Sequence, residues 1–562
     1  MSSRLAISRR TFLRGLGAGA LAASAIVRSG DALARRRAPF LHGVASGDPL
    51  QDRVIIWTRV TSGIRAPVPV NVHWEVARDA GFHHVIRRGH VRTDAARDYT
   101  VKVDVAGLPA GALLYYRFRA LGECSAVGRT RTLPAGSLEQ LKLAVFSCSN
   151  YPAGYFHVYA EAAKLDDVFA SVHLGDYIYE YGAGGYASSD AASLGRLSEP
   201  ATELLTLDDY RRRYAQYRSD ADLQALHAAM PMIAVWDDHE ISNDTWHDGA
   251  ENHDPATEGS FAQRRAAAIR AYHEWLPTRV PDPAHPDRIY RSFEFGDLLS
   301  LHMLDTRSVG RDLQLDYGDF FGAGGFDAGA FAAALGDPSR QLLGVEQEGW
   351  LAGRLAASNA TWDLLGQQVL MGRMNVPAPL VLGQISFTDY SALVYKAQTA
   401  PALLTPQEQA ILAQPAIPYN LDAWDGYAVA RENVLGAARA YDRNLVVLAG
   451  DTHNAWASDL TDYAGNAVGV EFAAPSVSSP GFEEYFPNEN PLAVAAGLTQ
   501  IVGPLQYANT HQRGFMIVTV RHEECRAEWR YVDTVKHPDY AVVGGAALRT
   551  LPGAGNRRLV AA

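Results

Sequence analysis

Four apolar runs in this chain end on residues able to bind metal: KLAVFSC on Cys148, FASVHLGD on Asp176, MIAVWDD on Asp238 and LVVLAGD on Asp451. Tyr179 follows Asp176 by three positions in GDYIY, and His453 follows Asp451 by two in GDTH. The set is one thiol, one phenol, one imidazole and three carboxylates. Thiolate, phenolate and imidazole suit a trivalent or borderline transition metal, whereas clustered carboxylates suit a hard cation such as calcium or magnesium. Two metals bridged by one carboxylate clamp the attacking and leaving oxygens of an in-line phosphoryl displacement. Asp176 is the natural bridge.

Each run has the length and apolar content of a buried strand. In a parallel sheet with helices on both faces, ligands gather beyond the carboxyl ends of the strands, so the four ends are expected to face one crevice. Asp237, next to Asp238, reads either as a group that orients the ligand or as an extra ligand. Arg307, in LHMLDTR, reads either as a bidentate phosphate contact or as a structural ion pair. His302 of the same stretch reads as a packed strand histidine. Any one of these signals alone is weak, because an Asp at a strand end often only turns the chain and a lone buried Cys is a small hydrophobe. Four of them, each after an apolar run, point to a metallophosphoesterase.

The chain resembles the PhoD-type alkaline phosphatases and phosphodiesterases, distant relatives of the purple acid phosphatases. The resemblance runs through FLHGVASGDPLQDRVIIWTRV, FSCSN, HLGDYIYEYG, AVWDDHEISNDTW, LHMLDTR, LAGDTHNAW and AEWRYVDTV, nearly the whole chain after the first 34 residues. Against the di-metal relatives, whose motifs run GDxxY, GNHE and GHxH, Cys148 stands where they have an Asp, and Asp176 and Tyr179 keep GDxxY. Asp238 stands at their Asn, and Asp451 and His453 at the two His positions of the last motif. The resemblance implies a ferric ion with Cys148, Tyr179, Asp176 and His453, and calcium with Asp176, Asp238 and Asp451. It places His239, directly after Asp238, beside the phosphate. There an imidazole would stabilise charge or protonate the leaving group. The implied reaction is hydrolysis of phosphate esters by attack of metal-activated hydroxide, in the service of phosphate scavenging. The implied core is a metallophosphoesterase-like α/β sandwich. A phospholipase D-like phosphodiesterase is the alternative activity, and an exported binding protein with a structural metal centre is the alternative class.

Arg9-Arg10 precede an apolar Gly/Ala-rich stretch, Leu16–Val27, that ends at Ala32-Leu33-Ala34. This layout is a twin-arginine signal with a cut after Ala34, too short for a membrane span. It predicts export to the periplasm or beyond, with the twin-arginine translocase as a partner. The formal charge of −11 becomes about −15 once residues 1–34 are removed, and an acidic surface of that kind does not recruit nucleic acid or anionic membrane. Three cysteines are too few for a disulfide scaffold. Cys124 and Cys525 are expected either to pair or to remain separate thiols.

Residues 35–135 contain short alternating runs, RVIIWTRV, VPVNVHWEV and LLYYRFRA, between Gly, Pro and Asp turns. They read as a small all-β sandwich domain, immunoglobulin-like or fibronectin-like by the resemblance. TLPAGSLE, Thr132–Glu139, reads as the linker, and residues 136–562 as the α/β catalytic domain. Within it, residues 207–230 carry helical periodicity. Gly182–Glu203, Asp316–Ser339 and Asn375–Trp424 read as insertions that surround the crevice.

Overall fold

The computed structural model describes residues 39–61 and 68–562, so the signal-peptide reading lies outside the described residues. Two sheets carry the chain. A ten-stranded sheet contains Gln140–Phe146, Ala170–His173 and Met232–Ala234 as adjacent parallel strands. A seven-stranded sheet contains Leu299–Met303, Trp362–Gly366, Leu445–Ala449 and Ala467–Ala473, also parallel. Every residue of Ala170–His173, Met232–Ala234, Trp362–Gly366 and Leu445–Ala449 is buried. Such continuous apolar runs are what parallel strands covered on both faces require.

All four apolar runs therefore form strands, but they do not share one sheet. The first three lie in the ten-stranded sheet and Leu445–Ala449 in the seven-stranded one. The crevice thus forms where the carboxyl ends of two packed sheets meet. An isolated bridge pairs Ser147 with Ser476 there, and the Val477 amide donates to the Ser147 carbonyl at 3.0 Å, joining the two layers. One large apolar core includes residues of both sheets, such as Val145, Val172, Leu364 and Val470, and a second, around Leu365, Val447 and Trp424, covers the other face of the seven-stranded sheet.

The N-terminal region is all-β. Val44–Gly47, Arg53–Arg59 and Thr100–Ala106 extend the ten-stranded sheet, with Gly47 opposite Met232 at the junction. They pack through Val54, Ile56 and Val105 against Val72, Leu114 and Phe118 of a second sheet. That sheet is built from Val70–Ala77, Val85–Thr93, Leu113–Ala120, Glu123–Cys124 and Gly128–Arg131. One layer of the expected sandwich is therefore continuous with the sheet that carries the site. Residues 132–139 run as coil into Gln140–Phe146.

The helical segment at 207–230 is two helices. Thr206 and Asp209 form a capping box on Leu207–Tyr217, and the Asp220 carboxylate caps Ala221–Ala229 by accepting from the Asp222 and Leu223 amides. Asp220 offers the chain a new helix start, so one periodic run divides. Cys124 and Cys525 are separate free thiols, the first exposed and the second fully buried.

Candidate metal centre

The strand ends are bent sharply. Cys148, Asp176, Asp451 and His453 all adopt left-handed backbone angles, with φ of 60°, 56°, 62° and 62°. Non-glycine residues avoid this region, and where they occupy it the surrounding contacts must hold them there. Those contacts are visible. The Cys148 amide donates to Gly175 O at 3.1 Å and the Ser149 amide to Asp176 O at 2.8 Å. Gly175 itself has φ of 114°, and a Cβ on it would lie 2.4 Å from the Asp237 Cβ. Only glycine lets the Asp176 and Asp237 turns approach this closely.

Glu240 locks the same two turns. Its fully buried carboxylate accepts from the amides of Asp176 at 3.1 Å, Tyr177 at 2.5 Å and Asp237 at 2.8 Å, and burial pushes its pKa up to about 7. Reading the sequence missed Glu240, although its place in DDHE, two residues beyond Asp238, is a signal.

Every residue expected at the site is brought together. Metal-binding atoms of Cys148, Asp176 and His453 lie within 4.8 Å of one another, as do those of Asp176, Asp238 and His239, and those of Asp237, Asp238 and Asp451. Asp176 belongs to two of these groups. The Tyr179 hydroxyl donates to Asp176 Oδ2 at 2.9 Å, lies 3.1 Å from His453 Nε2, and accepts from Ser479 Oγ at 2.7 Å. Tyr186, from the first insertion, places its hydroxyl 3.2 Å from His453 Nδ1. Nothing in the sequence around Tyr186 marks it out, because a loop of 22 residues can fold in many ways.

The donor set fits two cations. Asp176 Oδ1, Asp237 Oδ2 and Asp238 Oδ1 are buried and make no hydrogen bond among the described residues. Orphaned buried carboxylate oxygens cost too much to persist without a counter-charge. Burial, joined by the repulsion of neighbouring carboxylates, raises Asp176 and Asp237 well above the usual carboxylate range. Burial also raises the Cys148 thiol and the Tyr179 phenol. Burial acts the same way on Asp238, but Arg307 and His239 outweigh it and hold its pKa below the ordinary value. His302 stays out of the site as expected, packed with its ring nitrogens on Ser292 Oγ at 2.8 Å and Asp363 at 3.2 Å.

Arg307 is fully buried and its nitrogens go to carboxylates. Nε donates to Asp237 at 2.5 Å, Nη1 to Asp422 at 2.8 Å and Nη2 to Asp451 at 3.3 Å. That geometry favours the ion-pair reading over a phosphate contact. Asp305, two residues before it, is not the partner. Its carboxylate accepts from the Arg307 and Ser308 amides and turns the chain. Asp422 comes from the third insertion and was not legible in the sequence.

His239 packs against Tyr179 with ring centroids 4.2 Å apart, and its Nδ1 lies 2.7 Å from the Glu180 carboxylate. Burial opposes charge on the imidazole, but Asp238, Glu180 and Asp176 together outweigh it and raise its pKa well above the ordinary value. Nε2 is left as the ring nitrogen that can give up a proton.

Known proteins resemble this chain in both sequence and fold. The family "PhoD-like phosphatase" matches residues 143–529, and "PhoD-like phosphatase, N-terminal domain" matches residues 23–134. Alkaline phosphatase D of Bacillus subtilis (strain 168) is 35% identical over 566 residues, covering 95% of this chain and 86% of the relative. A solved structure described as "Structure of PhoD" superposes with a TM-score of 0.76 at 33% identity, covering 93% of this chain and 92% of that one.

Proposed function

This chain belongs to the PhoD-like phosphatase family, hydrolases acting on phosphate esters, and on that premise we propose an exported enzyme with a mixed ferric and calcium centre. Cys148, Tyr179, Asp176 and His453 hold the ferric ion, and Asp176, Asp238 and Asp451 hold calcium. Asp237 orients the calcium side from its pairing with Arg307. The observation that carries this reading is the sharing of Asp176 between a thiol-imidazole group and a carboxylate group of donors. When bound, such a metal pair supplies Lewis-acid activation of water and neutralises charge on the phosphoryl oxygens.

The protein's own side chains do the rest. Glu180 holds His239 Nδ1, so the imidazolium presents its Nε2 proton, which it transfers to the departing alkoxide oxygen. Glu240 and Gly175 keep the Asp176 and Asp237 turns in contact, and Ser479 donates to the Tyr179 oxygen, supporting its negative form. Residues 35–135 act as the N-terminal domain and 136–562 as the catalytic one. Export rests on the twin-arginine layout of residues 1–34, and phosphate scavenging is the role that suits an exported hydrolase of this kind. No helix of the described residues is long and apolar enough to cross a membrane.

The test is turnover of a chromogenic phosphate ester by the purified protein, with metal analysis and a visible spectrum on the same sample. The expected result is a coloured protein containing iron and calcium. Its activity should be lost on chelation and restored by calcium but not by zinc. A colourless, fully active zinc protein would overturn the assignment.

A further inference from the structure

The outer face of the N-terminal sheet carries a charge pattern that the phosphatase reaction does not use. In this sheet, alternation sends Val72, Val76, Leu114, Tyr116 and Phe118 inward to the sandwich core. The opposite positions carry six arginines: Arg88, Arg92, Arg117, Arg119, Arg129 and Arg131. The register makes them one surface. Glu75 lies opposite both Arg88 and Arg117, His73 opposite both His90 and Arg119, and Tyr115 opposite Arg129.

Three of the six stand near a carboxylate, and among the described residues the two on Val85–Thr93 do not. Arg117 pairs with Glu75 at 2.8 Å and stacks on Phe82 at 3.9 Å, while Arg119 stands 3.6 Å from the same carboxylate. Arg129 pairs with Asp166 at 2.7 Å. Neither Arg88 nor Arg92, both exposed, has an ion-pair partner among the described residues. Like charges on neighbouring strands repel, and a merely solvated sheet face usually mixes the two signs. The imbalance also sets this region apart from the rest of the chain. Residues 39–135 hold 13 Lys and Arg against 8 Asp and Glu, a net +5, whereas residues 136–562 hold 30 against 53, a net −23. At physiological salt, charge is felt over about 8 Å, so an anion above Arg88, Arg92 and Arg119 meets those arginines and Glu75, while Asp166 is taken up by Arg129.

The face is also distant in topology from the metal centre. Arg129 Nε donates to Ala229 O at 2.7 Å and Arg131 to Asp166 O at 3.2 Å, residues that precede Met232–Ala234 and Ala170–His173. Those are the amino ends of strands whose carboxyl ends bear the site. We propose that this sheet face binds a linear, phosphate-backbone polyanion and holds the enzyme on it. The ligand class follows from the shape of the surface. Charges at alternate strand positions repeat every ~6.7 Å and neighbouring strands lie ~4.8 Å apart, a flat grid suited to an extended charged chain. Exposed large aliphatic side chains stand at its corners, at Val85 and Leu113, which gives a membrane little to take up. The face has no exposed Trp or Phe, and the Tyr it presents, Tyr115, is half-buried opposite Arg129, which offers bases little to stack on. The backbone charge is thus the main thing it can recognise.

The experiment uses the full-length mature holoprotein and fluorescent long-chain inorganic polyphosphate, titrated at several salt concentrations. Binding is expected to weaken steeply with salt. The variant Arg88→Gln/Arg92→Gln/Arg119→Gln is expected to bind roughly 10-fold or more weakly with a salt slope shallower by about 2, since three phosphate contacts are lost. Its melting temperature and its turnover of a small chromogenic phosphate ester should match the wild type. Any of four results would overturn the proposal: no binding at low salt, unchanged binding by the triple variant, tighter binding of oligothymidylate than of polyphosphate, or capture by phosphatidylglycerol vesicles alone.

Discussion

The two halves of the metal centre solve the problem of buried charge in opposite ways. On the carboxylate side, Arg307 is built into the protein as a permanent cation touching Asp237, Asp422 and Asp451, with Asp238 3.8 Å away. On the thiol-phenol side, burial and the carboxylates Asp176, Asp451 and Asp237 push the Cys148 thiol upward and outweigh the Ser147 hydroxyl, which acts the other way. One half therefore has a standing cation that helps hold the Asp238 carboxylate below its ordinary pKa, although Asp237 and the shared Asp176 stay raised by burial. The other becomes anionic only when a highly charged cation displaces its protons. The difference bears on the proposed pair of metals: an oxygen cluster with a cation already beside it would suit a weakly polarising ion, and a protonated thiol-phenol pair would need a strongly polarising one.

The largest effect should come from the residue that both halves share. Asp176→Asn is expected to lose both metals and to lower kcat by on the order of 10³-fold or more, the scale of lost charge stabilisation. Metal analysis beside turnover checks it. Loss of one metal with the other fully retained would show that the halves are independent and that Asp176 bridges nothing.

Next in size, Cys148 separates the halves. Cys148→Ala should lose iron and most turnover while the carboxylate side still takes calcium. Cys148→Asp should retain iron and part of the activity, with the visible band moved toward that of a phenolate alone. A Cys148→Ala protein of normal colour and activity would make Cys148 a core thiol.

These two residues were legible in sequence because they end strands. A buried parallel strand must be a continuous apolar run, so Leu445–Ala449 and Met232–Ala234 announce themselves, and the polar residue that breaks each run stands at its carboxyl end. Arg307 was visible for the same reason, at the end of Leu299–Met303. The division of those strands between two sheets was not legible, since an apolar run carries no record of its neighbours. Tyr186 and Asp422 were hidden for a related reason. They reach the site from insertions, and long loops are placed by tertiary contacts such as the Tyr317 hydroxyl donating to Pro418 O at 2.6 Å. Glu240 lay in plain view beside Asp238, but its work is to accept backbone amides, and that has no sequence pattern of its own.

Arg307→Met sharpens the comparison from the carboxylate side. It leaves Asp237 buried without its cation, while Asp422 keeps Arg311, which should cost about 3–5 kcal/mol of stability. Added calcium should recover part of the melting temperature, because a divalent ion can supply the missing charge, while the visible band stays where it is. Equal loss of the band would mean that Arg307 supports both halves.

The smallest effect belongs to the pair that serves both halves without joining either. His239→Ala should keep iron and calcium and lower kcat by about 10²-fold, the usual scale for a lost general acid. Loss of a metal would instead make His239 a ligand, a possibility its closeness to Asp176 and Asp238 keeps testable. Glu180→Gln is gentler, and its signature is in pH. Glu180, which holds no metal in the proposed centre, is one of the carboxylates that raise the pKa of His239, and its charge favours the protonated form, which is lost as pH rises through that pKa. Gln at position 180 can still accept from Nδ1 but carries no charge, which removes one of the raising influences. The alkaline limb of kcat should therefore move to lower pH, with near-normal turnover at neutral pH and a deficit that grows as pH rises. The shift should be larger for esters with poor leaving groups, which depend most on proton donation. An alkaline limb unchanged in Glu180→Gln, for good and poor leaving groups alike, would remove Glu180 from the proton path and leave it a structural neighbour of the Asn243 amide.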